Sequence, residues 1–313
     1  MSWIKGNQLF NWSKYSSDSV FTHASVPFAL PEGENRFLIY FGSRNASGHS
    51  VPFCIQAQFN EGKLELIDQP IGPLMEVGEL GSFDDSGVMP TCVIKNGDEY
   101  WMYYIGWNPQ VTVSYRLSIG LAISKDGIHF ERYSNAPIMD RCLEEPFFNT
   151  APYVVKKGYA WEMFYVSCTG WHIIDHRTEP QYTIKSAQSK DGIHWERSNK
   201  ILLDYDEVGQ AFGRPCVISI NGHDRCMFFS YRKLAGYRNE AGNAYQIAVA
   251  KKGEAEDNWQ KYYQDTLPLG ISDDWDEMMA CYGHVFEHQG KFLMLYNGND
   301  FGKTGFGYAE WKP

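Results

Sequence analysis

Residues 87–135 have the sequence GVMPTCVIKNGDEYWMYYIGWNPQVTVSYRLSIGLAISKDGIHFERYSN, and this stretch decides the fold. GVMPTCVIK predicts a first strand, and the turn-forming residues 96–98 lead into a second strand, YWMYYIGW. RLSIGLAIS then alternates apolar and polar residues as a third strand does, and Ser124–Gly127 turn it into a fourth, IHFERYSN. Asp-Gly between alternating apolar segments is a strong hairpin signal. The stretch therefore predicts a unit of four antiparallel strands.

The same unit recurs along the whole chain. SKDGIH begins at Ser124 and again at Ser189, and five markers precede aromatic-rich strands at intervals of 63, 62, 63 and 68 residues. The markers are Pro27, Pro90, Pro152, Pro215 and Gly283. A period this long, with several short strands in each unit, is typical of a propeller. We therefore expect an all-β fold, a five-bladed β-propeller with four antiparallel strands per blade, formed by residues 1–313 as one domain.

The last unit lacks a fourth strand, because the sequence ends shortly after FGYAEW. The N-terminal segment SWIKGNQLF precedes the first full unit and could supply it. Pairing these two segments would remove the free strand edges that invite aggregation. The prediction is that residues 2–11 pair with the last blade and close the ring.

Composition and charge narrow the possible partners. The net charge of −10 argues against nucleic acid or an anionic membrane as a partner, and no apolar run is long enough to cross a bilayer. The N-terminus lacks the apolar region of a signal peptide. The seven cysteines form an odd set without a CxxC pair, as expected for reduced thiols in a core. These features predict a cytoplasmic protein, and the oligomeric state stays open.

The tandem S-K-D-G-I-H-[FW] strings, each closing a four-stranded unit, resemble the blade turns of the five-bladed glycoside hydrolases of families 32, 43, 68 and 130. The resemblance covers nearly the whole chain. The ending YNGNDFGKTGFGYAEW is most similar to a branch found among bacterial surface-polysaccharide and natural-product genes. The resemblance implies a carbohydrate-active enzyme with acidic residues on the innermost strands or on the loops that enter them.

Five residues in those loops are candidate catalytic groups, because glycoside hydrolysis normally requires two carboxyl groups facing each other. In the first loop the resemblance implies an Asp, but the sequence has a His that could act as a base or hydrogen-bonding group. An Asp-Asp-Ser-Gly string is also an ordinary turn, and the Glu144-Glu145 pair could equally be solvated. The candidates are His23, Asp84, Asp85, Glu145 and Glu277.

Residues at the ends of the inner strands are candidates for substrate binding. Three arginines indicate an anionic ligand, either an acidic sugar or a sugar that carries a phosphate or nucleotide. The alternative is that each arginine pairs with a loop carboxylate. Two tryptophans could stack on a sugar ring or simply pack in the core. The candidates are Arg44, Trp107, Trp171, Arg214, Arg232, His284 and Asn297.

Neither a metal site nor a cofactor is predicted, since the histidines show no ligand spacing and no phosphate-binding loop is present. Related propellers can hold Ca²⁺ on the axis, and His284 is the position where such an ion would be sought.

Two functions remain open at this point. The first is an enzyme that cleaves or transfers a glycosidic bond at an acidic axial pocket. The second is a propeller that binds a glycan or nucleotide sugar without hydrolysing it. A protein-interaction scaffold is disfavoured, because it does not need carboxylates, tryptophans and arginines at the axis.

Overall fold

The five sequence repeats correspond to five groups of strands in a computed structural model of the chain, which describes residues 2–15, 20–207, 209–220, 224–253, 256–264 and 266–312. Apart from two short helical turns, Trp12–Lys14 and Asn299–Gly302, the regular structure of these residues is β-sheet. No helix in the described ranges has the length and apolar character needed to span a bilayer.

The strands are numbered in chain order, and the groups are called units 1 to 5. The N-terminal strand β1 is Ser2–Phe10. Unit 1 contains β2 (Thr22–Pro31), β3 (Arg36–Arg44), β4 (Ser50–Asn60) and β5 (Lys63–Leu66). Unit 2 contains β6 (Gly87–Asn96), β7 (Glu99–Pro109), β8 (Tyr115–Ser124) and β9 (Glu131–Arg132). Unit 3 contains β10 (Asn149–Lys157), β11 (Ala160–Ile174), β12 (Arg177–Ser189) and β13 (Glu196–Leu203). Unit 4 contains β14 (Gln210–Ile220), β15 (Asp224–Lys233), β16 (Gln246–Lys252) and β17 (Gln260–Tyr262). Unit 5 contains β18 (Cys281–His288), β19 (Lys291–Asn297) and β20 (Phe306–Lys312).

Each unit is an antiparallel sheet whose strands follow one another in chain order. Units 1 and 2 are joined by one parallel bridge between Ser50 and Gly87. In unit 5 the sheet order is β1-β20-β19-β18, and β1 pairs with β20 from Ser2–Lys312 to Phe10–Phe306. The predicted pairing of the N-terminal segment with the last unit is therefore present. The fourth strand of unit 2 is shorter than IHFERYSN, because only Glu131–Arg132 pair with β8.

The SKDGIH strings form two identical turns. Asp126 Oδ1 accepts the backbone N–H groups of Ile128 and His129 at 2.8 Å each, and Asp191 Oδ1 accepts those of Ile193 and His194 at 2.8 and 2.9 Å in unit 3. Gly127 has φ +77°, where side chains other than glycine are strained, and a Cβ there would lie in a tight contact 3.0 Å from Tyr40 Oη. These turns carry β8 and β12 outward into the fourth strands.

The hydrophobic core consists of clusters between consecutive sheets. Phe37 and Phe53 of unit 1 pack with Leu293 of unit 5, while Phe164 of unit 3 packs with Phe212 of unit 4. Aromatic side chains from the second strand of each unit fill these layers, which explains the aromatic-rich repeats. Six of the seven cysteines are buried, and no disulfide bond forms among the described residues.

The repeat markers all lie in first strands, at positions where the pairing register shifts. The shifts bracket Pro27 in β2, Pro152 in β10, Pro215 in β14 and Gly283 in β18, and one begins at Pro90 in β6. A β-bulge leaves one residue out of the hydrogen-bond ladder, so it tolerates a proline that has no N–H to donate. The period visible in the sequence is thus a period of bulges in the first strands.

Candidate functional site

A central cavity of about 260 Å³ lies where the first strands come together. The residue immediately before each repeat marker lines it, once from every unit. These residues are Val26, Met89, Ala151, Arg214 and Tyr282. Because a bulge turns a side chain out of the regular alternation, the five bulges direct five side chains towards one place.

Four of these five residues have a left-handed backbone. Their φ angles are +55° at Val26, +48° at Ala151, +26° at Arg214 and +58° at Tyr282. A positive φ is uncommon for any residue other than glycine and is a genuine outlier for a β-branched one such as valine. Strained backbone of this kind is found preferentially at functional sites. The strain at four first strands therefore marks the cavity as the candidate site.

The cavity is cationic. Arg44, Arg214, Arg232 and Arg238 line it, and none of the described lining residues is Asp or Glu. Arg238 forms an ion pair with Glu179 at 2.9 Å, whereas the other three have no ion pair with a carboxylate within the described ranges. The alternative that each predicted arginine pairs with a loop carboxylate is not what the structure shows. Three positive charges therefore face the cavity without a neutralising side chain.

Several buried donors at the cavity also lack a hydrogen-bond partner among the described residues. They are Nε of Arg214, Nε of Arg232, Oγ1 of Thr150 and Nε1 of Trp107. Both arginines are only 2% exposed, and their remaining donors bond to backbone carbonyls, such as Pro180 O at 3.0 Å from Arg232. A buried donor without a partner costs free energy. These donors are therefore suited to a ligand with several acceptor oxygens.

Burial disfavours the protonated form of two of these arginines. Desolvation lowers the pKa of Arg214 to about 10, and it also lowers the pKa of Arg44. Both side chains remain cationic at neutral pH, so the cost of their buried charge persists until an anion offsets it.

Aromatic side chains form the wall around the arginines. The hydroxyl groups of Tyr115 and Tyr182 are 3.1 Å apart, and the ring of Trp107 lies 4.8 Å from that of Tyr115. The Arg232 guanidinium lies 4.0 Å from the ring centroid of Tyr237, within the range of a cation–π contact. Apolar walls with a few placed polar groups are typical of small-molecule sites.

The predicted substrate-binding residues divide into two groups. Arg44, Trp107, Arg214 and Arg232 line the cavity. Trp171 lies behind the wall, where its ring is 5.4 Å from that of Tyr115.

His284 and Asn297 connect unit 5 to unit 1 and do not line the cavity. His284 Nδ1 accepts the backbone N–H of Ala29 at 3.0 Å, and Asn297 Oδ1 accepts that of Val26 at 3.1 Å. Burial lowers the pKa of His284 well below its ordinary value, so its imidazole is neutral. No cluster of three or more His, Cys, Asp or Glu suited to a metal ion occurs within the described ranges.

Asp84, predicted as catalytic, lies away from the cavity and forms a buried clamp. It is fully buried and accepts hydrogen bonds from Tyr104 Oη at 2.9 Å and Arg132 Nε at 2.8 Å. Tyr104 belongs to the second strand of unit 2 and Arg132 to the fourth. The carboxylate therefore ties its loop across the sheet, which favours a structural role.

Glu145 and Asp276 form the same clamp in units 3 and 5. Glu145 accepts a hydrogen bond from Tyr165 at 2.8 Å and pairs with Arg197, and Asp276 accepts one from Tyr296 at 2.9 Å and pairs with Lys5. In all three clamps the tyrosine follows the carboxylate by 20 residues. The recurrence matches the repeat, and so it is explained by the architecture of the four-stranded unit.

The other three catalytic candidates also lie outside the cavity lining. Asp85 accepts hydrogen bonds from Gly81 N at 3.0 Å and Ser86 Oγ at 2.8 Å, as a turn residue does. Glu277 accepts the backbone N–H of Asp273 at 2.6 Å. Burial, with smaller contributions from Arg44 and Lys303, lowers the pKa of His23 to about 4. The structure does not bring two of the predicted acids together at the cavity.

The sequence reasoning missed most of the aromatic wall and one arginine. Tyr115, Tyr182, Tyr237, Tyr245 and Arg238 were not singled out, although all line the cavity. One feature of the sequence could have identified further cavity residues, because the residue before each repeat marker lines the cavity in every unit. The loop residues 234–245 had no such signal, because their approach to the cavity depends on how the loop folds back.

Comparison with known proteins identifies relatives that match the whole length of the chain. Two proteins of Mycobacterium tuberculosis, "Uncharacterized protein MT1551" of strain CDC 1551 and "Uncharacterized protein Rv1502" of strain H37Rv, are each 33% identical over 99% of both chains. No protein-family model matches the sequence.

Several solved structures with the same fold are described as glycoside hydrolases or carry the name of one. One described as "Glycoside hydrolase" has a TM-score of 0.74 at 18% identity and covers 99% of this chain and 92% of its own. The endo-arabinase from Bacteroides thetaiotaomicron has a TM-score of 0.63 at 12% identity, with 98% of each chain covered. The sucrose-6-phosphate hydrolase from Lactobacillus gasseri has a TM-score of 0.62 at 11% identity and covers 96% of this chain and 62% of its own. The resemblance to these hydrolases is confirmed at the level of the fold.

Proposed function

The chain belongs to the family of the Mycobacterium tuberculosis proteins MT1551 and Rv1502, and we propose that it is a carbohydrate-active protein whose central cavity binds an anionic sugar. The anion is a carboxylate or phosphate group on the sugar. One observation carries this proposal: Arg44, Arg214 and Arg232 line an aromatic cavity that has no Asp or Glu among its described lining residues.

The wall and the arginines serve different parts of such a ligand. Rings such as Trp107 and Tyr115 offer flat apolar faces for a pyranose, and guanidinium groups form directed hydrogen bonds with carboxylate or phosphate oxygens. The name of one structural neighbour, sucrose-6-phosphate hydrolase, includes a phosphorylated sugar. The carboxylate or phosphate group of such a sugar would accept hydrogen bonds from the unpartnered Nε groups of Arg214 and Arg232.

We further infer that the five units are five blades of a single propeller domain, closed by β1. Support comes from the pairing of β1 with β20 and from hydrophobic clusters between consecutive units, including units 5 and 1. This arrangement explains why one residue from every first strand reaches one cavity. A cytoplasmic location stays a prediction.

Hydrolysis by two opposed carboxyl groups has little support in this cavity. The predicted acids Asp84 and Glu145 are engaged in clamps, and Asp85 and Glu277 bond to their own loops. Binding of an anionic sugar is therefore the function that the geometry favours, and the fold of glycoside hydrolases keeps glycosidic bond chemistry as the second candidate.

The experiment compares the two ends of β3. Arg44 lines the cavity, whereas Arg36 is exposed at the opposite end of the same strand. Calorimetric titrations with glucuronic acid, glucose 1-phosphate and UDP-glucuronic acid, and with glucose as the neutral control, measure binding. Because a hydrogen bond to a charged group contributes about 1.5–3 kcal/mol, Arg44→Gln should weaken binding of the anionic probes by about 10- to 100-fold.

Arg36→Gln should leave the affinity unchanged, since its charge is distant from the cavity. Binding of glucose as tight as that of the anionic probes would contradict the proposal. Equal effects of the two substitutions, or no binding of any anionic probe, would also contradict it.

A further inference from the structure

One tyrosine of the cavity wall is paired with a buried carboxylate. Tyr237 Oη donates a hydrogen bond to Glu179 Oε2 at 2.7 Å, and Arg238 Nη1 donates one to Glu179 Oε1 at 2.9 Å. Glu179 is 4% exposed and lies on β12, and Tyr237 is 5% exposed and belongs to the loop after β15. A phenol held against a carboxylate is the arrangement of a nucleophile with its general base.

This pair differs from the other tyrosine–carboxylate pairs of the protein. Tyr104, Tyr165 and Tyr296 belong to the blade clamps, and Tyr100 and Tyr263 donate to Glu32 and Asp206 outside the cavity lining. Among the described tyrosines that donate to a carboxylate, only Tyr237 lines the central cavity. The blade repeat therefore explains the clamps and leaves the Tyr237–Glu179 pair unexplained.

The cationic groups of the cavity surround this tyrosine. The Arg232 guanidinium lies 4.0 Å from the Tyr237 ring centroid, and its buried Nε has no partner among the described residues. An anion bound by Arg232 would therefore lie beside the phenol. A neutral nucleophile suits such a site, because a carboxylate nucleophile would repel an anionic substrate and pair with the arginines that should bind it.

We propose that Tyr237 is the nucleophile and Glu179 the general base for cleavage of a sugar–phosphate bond at the anomeric carbon. This inference rests on the proposed function of the cavity. The leaving group follows from the lining, which offers no carboxylic acid among its described residues to protonate an alcohol. Phosphate or a nucleoside diphosphate departs as a stable anion without protonation, and the arginines stabilise the charge that develops on it.

The proposed reaction has two steps. Tyr237 Oη attacks the anomeric carbon, its proton passes to Glu179, and the carbon–oxygen bond to phosphate breaks with the electron pair leaving on the phosphate. A tyrosyl glycoside results. Water then attacks the same carbon and releases one proton to solvent, while the departing Tyr237 oxygen recovers its proton from Glu179. The products are the free sugar and phosphate or nucleoside diphosphate.

The protonation states fit this sequence of events. Burial, the largest effect, raises the pKa of Tyr237, so the phenol is neutral at pH 7 and must lose its proton during the attack. Glu179 Oε2 is the atom in position to take it.

The test uses 2-deoxy-2-fluoroglucuronosyl fluoride, as both anomers, because the 2-fluoro group slows breakdown of a covalent intermediate and fluoride needs little protonation to leave. Intact-protein mass spectrometry followed by peptide mapping should locate a glycosyl adduct on Tyr237. Calorimetric binding of UDP-glucuronic acid, measured on the same preparation, reports separately on the cavity.

Three variants test the roles of the nucleophile and the base and provide a control. Tyr237→Phe keeps the ring against Arg232 and should bind UDP-glucuronic acid but form no adduct. Glu179→Gln should slow adduct formation by about 10²- to 10⁴-fold, the usual contribution of a general base. Tyr263→Phe, which removes a hydroxyl paired with a carboxylate outside the cavity, should behave as the unaltered protein.

An adduct on any other residue, or undiminished adduct formation in Tyr237→Phe, would overturn the inference. Binding of UDP-glucuronic acid without any adduct would also overturn it and would leave the proposed function standing. Absence of binding would instead count against the proposed function itself.

Discussion

Replacing Asp84 with Asn tests whether the carboxylate is a clamp or a catalytic group. The side chain is fully buried and accepts hydrogen bonds from Tyr104 Oη at 2.9 Å, Arg132 Nε at 2.8 Å and Ser82 Oγ at 3.0 Å. Asparagine has the same shape but no charge, and its NH₂ group must face one of these donors. The substitution therefore leaves Arg132 without its counter-ion.

The size of the effect follows from burial. Removing one partner of a buried ion pair costs about 3–5 kcal/mol. Since the Arg132 side chain is 20% exposed, water replaces part of the lost interaction, and we expect the lower end, about 3 kcal/mol. At about 2 °C per kcal/mol for a large domain, the melting temperature should fall by about 6 °C.

Differential scanning calorimetry measures this change, with Asp85→Asn as the matched control. Asp85 is half-buried and its hydrogen-bond partners Gly81, Ser86 and Asn108 are uncharged, so the melting temperature of Asp85→Asn should change by less than about 2 °C. Well below the transition, Asp84→Asn should bind anionic sugars as the unaltered protein does. An unchanged melting temperature together with lost binding or turnover would refute the clamp and restore Asp84 to the site.

Two further predictions concern the axis and the ring closure. Because burial holds the folded-state pKa of His284 well below its unfolded value of about 6.5, the unfolded chain takes up the proton first, and stability should fall by about 1.4 kcal/mol per pH unit below about pH 6. Denaturant unfolding between pH 7 and 5 should show a smaller slope for His284→Gln, and equal slopes would contradict the assignment. Trp3 is 4% exposed and packs on Phe228 at 5.6 Å, so Trp3→Ala should cost about 3–5 kcal/mol, while Ile4→Ala, at a side chain 53% exposed, should cost about 0.5 kcal/mol or less. Similar losses for both would argue against closure by β1.

Much of the fold is predictable because its signals are local. Asp-Gly in SKDGIH specifies a turn through hydrogen bonds within six residues, and the alternation in RLSIGLAIS specifies a two-faced strand. The missing fourth strand of the last unit predicted the pairing of β1 with β20. The length of the strand IHFERYSN was overestimated, because its regular ladder with β8 covers only Glu131–Arg132.

The sequence singled out only some of the residues that line the cavity. Arg44, Trp107 and Arg232 lie at the ends of predicted strands and Arg214 directly precedes a repeat marker, and all four line the cavity. The candidate catalytic carboxylates were predicted only from their position in the loops that enter the inner strands. Asp84 proved to face inward into the sheet, because Tyr104 and Arg132 offer it donors there.

The sequence by itself determined the repeat and most strands and turns of the units, since strand alternation and turn chemistry act over a few residues. It also determined the pairing of the two chain ends, because the last unit lacks a fourth strand of its own. Only the tertiary structure decided which charges face the cavity. Adjacent residues such as Asp84 and Asp85 point in different directions, and Tyr237 meets Glu179 from 58 residues away. Those contacts depend on how bulges and loops direct side chains from several sheets to one place, and the spacing of residues along the chain does not contain that information.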